Sequence, residues 1–259
     1  MQCKNNTNQL KVGVVDWHPA LKSGTPLPSK GKRIMAKQVR LGRVTNLILR
    51  TLRPLAHYLS DSFHSKRIAR LVNGKFPDLK ITNSSIILDL GSNRGRFAKA
   101  FAHTGGIILC FEPNPDVFSS AVKLLKTYPN VFHLQAAVAK NSGMTKLFLH
   151  KSRNIDPIGF SISASIDSNK ENVSPGNYYV VPAISLASIL ENLNHVDLLK
   201  IDIEGAEKEL WPTIEENYMS IKHLVLEPHH IDGSEAWYER ATKFIEENGL
   251  QTKWFLDWE

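Results

Sequence analysis

Ile86-Ile87-Leu88-Asp89-Leu90-Gly91-Ser92-Asn93-Arg94-Gly95-Arg96-Phe97 is an apolar run of strand length that closes on a glycine-bracketed turn and opens onto a helix-forming stretch. Strand, tight turn and helix form the opening half of a βαβ unit. Gly91 and Gly95 admit backbone angles closed to other residues and let the main chain approach a ligand closely. A helix starting there aims free N–H groups at the turn, where a carboxylate or phosphate can sit. The spacing is G-x-x-x-G, not the G-x-G-x-x-G of pyrophosphate-binding loops, which argues against a dinucleotide. A glycine turn can also do no more than reverse the chain.

The segments around it alternate in the same way. A helix over Arg96–His103 leads to a second apolar run, Ile107–Phe111, then a helix over Pro115–Thr127 and a third run, Val131–Val138. Thr145–His150 and Tyr178–Pro182 read as a hairpin-like pair separated by a Ser/Asn-rich loop. A helix over Leu186–Leu193 precedes the run Val196–Ile203, and another helix follows Gly205. Lys222–Glu227 is strand-like, Glu235–Asn248 helical with Gly249 as its stop, and Thr252–Leu256 a last strand. Such alternation predicts an α/β, Rossmann-like fold with a mostly parallel sheet flanked by helices.

Glu112 ends the second run, 17 residues beyond Gly95. In a βαβ unit this puts a carboxylate beside the ligand crevice, able to accept from both hydroxyls of a ribose. Pro113, Asn114 and Pro115 stiffen the turn that holds it. Loop and acid together point to an adenosine-type ligand, and without a pyrophosphate fingerprint S-adenosylmethionine fits better than NAD.

Asp197-Leu198-Leu199-Lys200-Ile201-Asp202-Ile203-Glu204-Gly205-Ala206-Glu207 is a third constellation. Strand alternation directs Lys200, Asp202 and Glu204 one way and Leu199, Ile201 and Ile203 the other. Charges on one face of a central strand are costly to bury unless paired or near solvent, which favours the open crevice at the strand ends. Asp202 is a candidate to stand beside the methionine portion or the reacting methyl, with Lys200 as its charge partner or as a group that neutralises a substrate acid; a purely structural Lys–Asp pair is the alternative. Leu226-Glu227-Pro228-His229-His230 adds candidate bases, since methylating an alcohol requires removal of a proton. Adjacent histidines can equally be solvated loop residues. They lack the helical i, i+4 spacing of a zinc pair and the sequence places no third ligand, so no metal is expected, although a set of Asp202, Glu227 and a His is conceivable.

The net charge of +7 is unevenly spread. Residues 1–80 hold sixteen Lys and Arg against three Asp and Glu, and the remainder sixteen against twenty-two. Gly24, Pro26, Pro28 and Gly31 with little periodicity mark 1–33 as a flexible tail, and the charge split sets a basic helical extension (34–80) apart from a mildly acidic domain (81–259). Leu41, Val44, Ile48, Leu52, Leu55 and Leu59 make one apolar helical stripe, with Arg40, Arg43, Arg50 and Arg53 opposite. Such a stripe packs on its own domain or lies on an anionic membrane. Two Cys and the absence of an apolar leader predict a cytoplasmic chain, with peripheral membrane contact as an option. Nucleic acid is disfavoured because the basic segment lacks interleaved aromatics.

Leu88-Asp89-Leu90-Gly91-Ser92-Asn93-Arg94-Gly95, Phe111-Glu112-Pro113-Asn114-Pro115 and Leu199-Lys200-Ile201-Asp202-Ile203-Glu204-Gly205-Ala206-Glu207 together resemble the FkbM family of S-adenosylmethionine-dependent methyltransferases. The resemblance implies a seven-stranded-type class I methyltransferase fold. It implies a cofactor site of Asp89, Gly91, Ser92, Asn93, Arg94, Gly95, Phe97, Glu112, Pro113, Asn114, Gln135, Ala136, Ala137, Val138 and Asp202. Asp202, His229, Glu227 and Lys200 become the catalytic candidates. Ser161, Ser165, Glu204 and His230 become the substrate-binding ones, with the loop Ser152–Asn177 facing the substrate. The chain departs from the family in carrying Ser185-Leu186-Ala187 where a Thr-Leu-Asp step is usual, and in showing one C-terminal strand instead of two. O-methylation of a sugar, glycan or natural-product hydroxyl is the expected reaction. N-methylation, or non-catalytic binding of the cofactor by a partner or scaffold protein, are the alternatives.

Overall fold

A computed structural model describes residues 60–155, 163–229, 235–248 and 251–254. The chain divides into two units, residues 1–52 and 53–259, and the first lies outside the described residues. So do the expected tail over 1–33 and the apolar stripe from Leu41 to Leu59.

Helix α1 (residues 60–75) comes first. The order then runs β1 (Ile86–Leu90), α2 (Arg96–Phe101), β2 (Ile107–Phe111), α3 (Pro115–Leu125), β3 (Val131–Leu134), β4 (Ala137–Ala139), β5 (Gly143–His150), β6 (Val173–Ser185), α4 (Leu186–Glu191), β7 (Leu198–Ile201), α5 (Glu207–Asn217), β8 (His223–Leu226), α6 (Glu235–Glu247) and β9 (Gln251–Trp254). Six strands form one parallel sheet in the order β3-β2-β1-β7-β8-β9. The order reverses between β1 and β7, and there the strand ends part to leave a crevice. This is the Rossmann-like α/β architecture that the alternating segments predict.

Both faces of the sheet are covered. Leu88, Leu90, Leu199, Ile201, Leu224 and Leu226 pack with α4, α5 and α6 on one side. Ile87, Ile108, Leu198 and Val225 pack on the other with α2 and with Ile68, Val72 and Phe76 of α1 and its C-terminal turn. Strands buried on both faces carry continuous apolar runs, which is why these segments read so plainly in the sequence. Asp197 pins the start of β1 to its neighbours. Its carboxylate accepts from Ile86 N–H at 2.8 Å and from Lys222 Nζ at 2.7 Å.

Two boundaries differ from expectation. Val131–Val138 is not one strand: β3 ends at Leu134 in the six-stranded sheet, and β4 begins at Ala137 in the second sheet. Leu134 C=O there accepts from Glu112 N–H, ending the ladder. The hairpin-like pair stands apart from the main sheet. β5 and β6 pair antiparallel, and β4 adds to β6 to make a separate three-stranded sheet, β4-β6-β5. Arg153, just after β5, reaches Asp116 of α3 with two hydrogen bonds of 2.7 and 3.0 Å, and Tyr179 O–H joins at 3.2 Å. Such a bidentate pair is geometrically specific and anchors the second sheet beside the first.

Burial opposes the charge on Asp197, but hydrogen bonds from Lys222 and Ile86, with the Lys222 and His195 charges, hold its carboxyl below the usual range. Its contribution is therefore complete above the unfolded-state value near ~4 and is lost as pH falls through the folded one. Asp197→Ala is expected to cost about 2 kcal/mol at pH 7. In urea titrations, the parent and variant stabilities should converge on acidification.

Candidate active site at the carboxyl ends of β1, β2, β7 and β8

The turn after β1 is clamped from several directions. Gly91 N–H and Ser92 N–H both donate to Phe111 C=O at 2.9 Å, and Gly95 N–H closes onto Ser92 C=O at 2.7 Å. Gly91, Asn93 and Gly95 all have left-handed φ, at 75°, 46° and 76°. A Cβ on Gly91 would lie 1.8 Å from the Asp202 carbonyl oxygen, so the glycine is needed for the close passage of β1 against the end of β7. A Cβ on Gly95 would meet Leu125 at 2.7 Å, so this glycine serves the packing of α3. With only six residues, α2 adds little dipole to the turn.

Beneath this turn lies Lys200, a charged residue in a strand whose four positions are all buried. Its ammonium donates to Gly91 C=O at 2.6 Å and Leu90 C=O at 3.3 Å, and pairs with Asp202 at 2.9 Å and Asp89 at 3.4 Å. Burial opposes its charge, and the Asp202 and Asp89 carboxylates outweigh burial, raising its pKa. Lys200 thus stands under the turn and does not line the cleft. Asp89 is fully buried with it, and burial raises its carboxyl.

Glu112 stands across the turn, 7% exposed. Each oxygen accepts one backbone N–H, from Asn93 and from Asn114, both at 2.7 Å. Burial is the largest influence on this carboxyl and lifts it to about 7 against those hydrogen bonds. The cleft has an empty volume of about 550 Å³ and brings together Gly91, Asn93, Glu112, Pro113, Ala137, Val138, Asp202 and Glu204 from the expected set. Leu147, Ala164 and Ile166 complete an apolar wall, and Ile203 joins Asp202 and Glu204.

Other expected residues lie around the cleft without lining it. Arg94 turns to α1, where its guanidinium and that of Arg96 hold Asp61 at 2.7 and 2.8 Å. Phe97 is in the core, Asn114 caps α3, and Ala136 is buried in the crossing after β3, with Gln135 exposed beside it. Ser92 is buried beneath the turn. Ser165 uses its hydroxyl to accept from Asp167 N–H, while its backbone bridges Phe148. Ser161 and His230 lie outside the described residues. Ser185, in the Ser-Leu-Ala departure, caps α4 by accepting from Ser188 N–H.

The alternation expected past Ile201 fails. β7 ends at Ile201, and Glu204 at φ 63° with Gly205 at φ 110° turns the chain, so Ile203 and Glu204 both reach the cleft. His229 arrives from the end of β8. Its Nε2 lies 3.3 Å from Glu204 and 3.9 Å from Asp202, and its Nδ1 lies 3.0 Å from Glu207. Burial opposes the imidazolium, and the Glu207 hydrogen bond with the Glu207, Glu204 and Asp202 charges prevails, lifting it to about 9. Glu227 is lifted to about 8 by burial and the Asp202 charge. Ligating atoms of Asp202, Glu227 and His229 lie within 4.8 Å of one another. Lys200 already supplies positive charge to that group.

Sequence reasoning missed Glu207, Leu147, Ala164 and Ile166. Glu207 lay within a quoted motif, yet only its 1% exposure marks it out. Ala164 and Ile166 carry no local signal, because the bridge from Ser165 to Phe148 is what positions them.

The raised carboxyls of Glu112 and Glu227 give a pH dependence of definite sign. Between the unfolded value near ~4.3 and the folded values, the folded state holds the extra protons, so stability falls as pH rises. Thermal unfolding should show a higher Tm at pH 5.5 than at pH 8. Glu112→Gln and Glu227→Gln should each flatten that slope; an unchanged slope in both would contradict the placement.

No curated protein matches the chain. Among solved structures, a precorrin-6y C5,15-methyltransferase from Geobacter metallireducens GS-15 is similar at 15% identity and a TM-score of 0.36, covering 68% of each chain. Among the described residues, no helix is long and apolar enough to cross a membrane. The model of the methyltransferase FkbM domain matches residues 89–247, which include the turn after β1, Glu112 and the acidic turn after β7. The chain belongs to the FkbM methyltransferase family.

Proposed function

We propose that the protein transfers a methyl group from S-adenosylmethionine to a hydroxyl oxygen of a glycan or small natural-product-like molecule. The observation that carries this reading is one cleft lined by a ribose-type carboxylate, Glu112, and by Asp202 and Glu204, with His229 3.3 Å from Glu204 and Glu227 grouped with Asp202 and His229.

The donor supplies a methyl group on a positively charged sulfonium. The residues present suit it. Glu112 is held rigid by two N–H donors and has lone pairs left for ribose hydroxyls. Ala137, Val138, Leu147, Ala164 and Ile166 offer an aliphatic bed for a flat base. Asp202 and Glu204 give the cleft the negative charge that complements a cation.

A hydroxyl must lose its proton as its oxygen takes the methyl group, and His229 Nε2 is the acceptor for that proton. At rest His229 is protonated, with its value near 9. A cation held in the cleft would favour the neutral imidazole, whose Nε2 could then take the proton. An amine attacks with its own lone pair and has less need of a base in the cleft, which favours oxygen as the acceptor atom.

Calorimetry tests the first step: the parent should bind S-adenosylmethionine, and Glu112→Gln should weaken binding by about 10-fold or more, the value of hydrogen bonds to a charged group. Transfer of labelled methyl to a pool of glycans and polyols tests the second, with Asp202→Asn and His229→Gln losing turnover while still binding. Binding without transfer to any hydroxyl would mark a non-catalytic binder, and transfer to amines alone an N-methyltransferase.

A further inference from the structure

Glu207 opens α5 and is 1% exposed, yet it does not line the cleft. Its Oε1 gathers three donors: Ile203 N–H at 3.1 Å, Gly205 N–H at 3.2 Å and His229 Nδ1 at 3.0 Å. Two of these close the turn that carries Asp202 and Glu204, where Glu204 and Gly205 have positive φ. Conformations of that kind persist only where surrounding contacts over-determine them. The third donor comes from a different strand end. One buried oxygen therefore ties the carboxylates after β7 to the imidazole after β8.

We propose that Glu207 is a positioning residue of this site, which sets His229 with Nδ1–H on the carboxylate and Nε2 toward the cleft while holding the Asp202–Gly205 turn in place. The role in catalysis rests on the methyl-transfer reading above; the arrangement itself does not. Oε1 already accepts from two backbone N–H groups, so Nδ1 meets an acceptor there and carries the proton, and the basic lone pair of a neutral imidazole then falls on Nε2. Nε2 faces Glu204 and Asp202, both of which line the cleft. A base so oriented presents the right nitrogen without a search over tautomers, and its imidazolium is stabilised as it forms. The groups around His229 are Glu207 from α5, Asp202 and Glu204 from the turn after β7, and Glu227 from its own segment. Lys170, from the segment before β6, pairs with Glu204, and Lys200 lies beneath Asp202.

The test is long-range ¹H–¹⁵N correlation of the full chain labelled at histidine, with the His229 signals identified by their loss in His229→Gln. In the parent, the neutral form should carry its proton on Nδ1. In Glu207→Gln, which keeps an acceptor oxygen but no charge, the His229 midpoint should fall by roughly one unit or more. A neutral-form proton on Nε2 in the parent, or an unmoved midpoint in the variant, overturns the proposal. The parent's tautomer decides the matter if the variant does not fold. Calorimetry on the parent stands apart: no uptake of S-adenosylmethionine would retire the methyl-donor reading and leave Glu207 to be judged by the spectra.

Discussion

A buried ammonium holds the centre of this molecule together. Lys200 lies in a strand covered on both faces, and an unpaired charge there would cost several kcal/mol in lost hydration. Two backbone carbonyls and two carboxylates surround it. Three separate pieces of chain supply those oxygens: β1, the turn after it and the end of β7. Satisfying one cation therefore fixes where the turn sits and where Asp202 points. The passage is so close that position 91 has no room for a side chain.

From that anchor the site grows outward by backbone hydrogen bonds. Phe111 C=O collects the first two N–H groups of the turn, which brings Asn93 N–H onto Glu112. Glu112 N–H in turn ends the ladder with β3 and releases the chain to cross toward the second sheet. That crossing delivers Ala137 and Val138, and the second sheet brings Leu147. The cleft is thus walled by two sheets. The segment at 163–172 is held to the first by ion pairs from Lys170 to Glu204 and from Lys208 to Asp167.

The electrostatics run in one direction. Asp202, Glu204, Glu207 and Glu227 crowd the ends of β7 and β8, and burial and mutual repulsion keep protons on part of the group. Sites that keep carboxyls and an imidazole away from their solution values in a cleft are the ones equipped for proton transfer. The basic residues of the chain's first 80 positions are a separate matter, since most lie outside the described residues.

Much of this was legible in the amino-acid order. Ile86–Leu90 and Ile107–Phe111 are strands as their apolar runs predict, because strands covered on both faces must be apolar throughout. Glycine turn, following glutamate and acidic strand end were each visible, since each sits at the end of an apolar run where the chain leaves the sheet. What the tertiary structure alone decided depends on contacts between distant residues. Local pattern could not reveal that Val131–Val138 divides between two sheets, that Lys200 faces carbonyls under the turn, or that Arg94 turns to Asp61. Nor could it show that one oxygen of Glu207 joins two strand ends. Local sequence states which way a backbone prefers to run, whereas which buried donor meets which acceptor is settled only when the whole core closes.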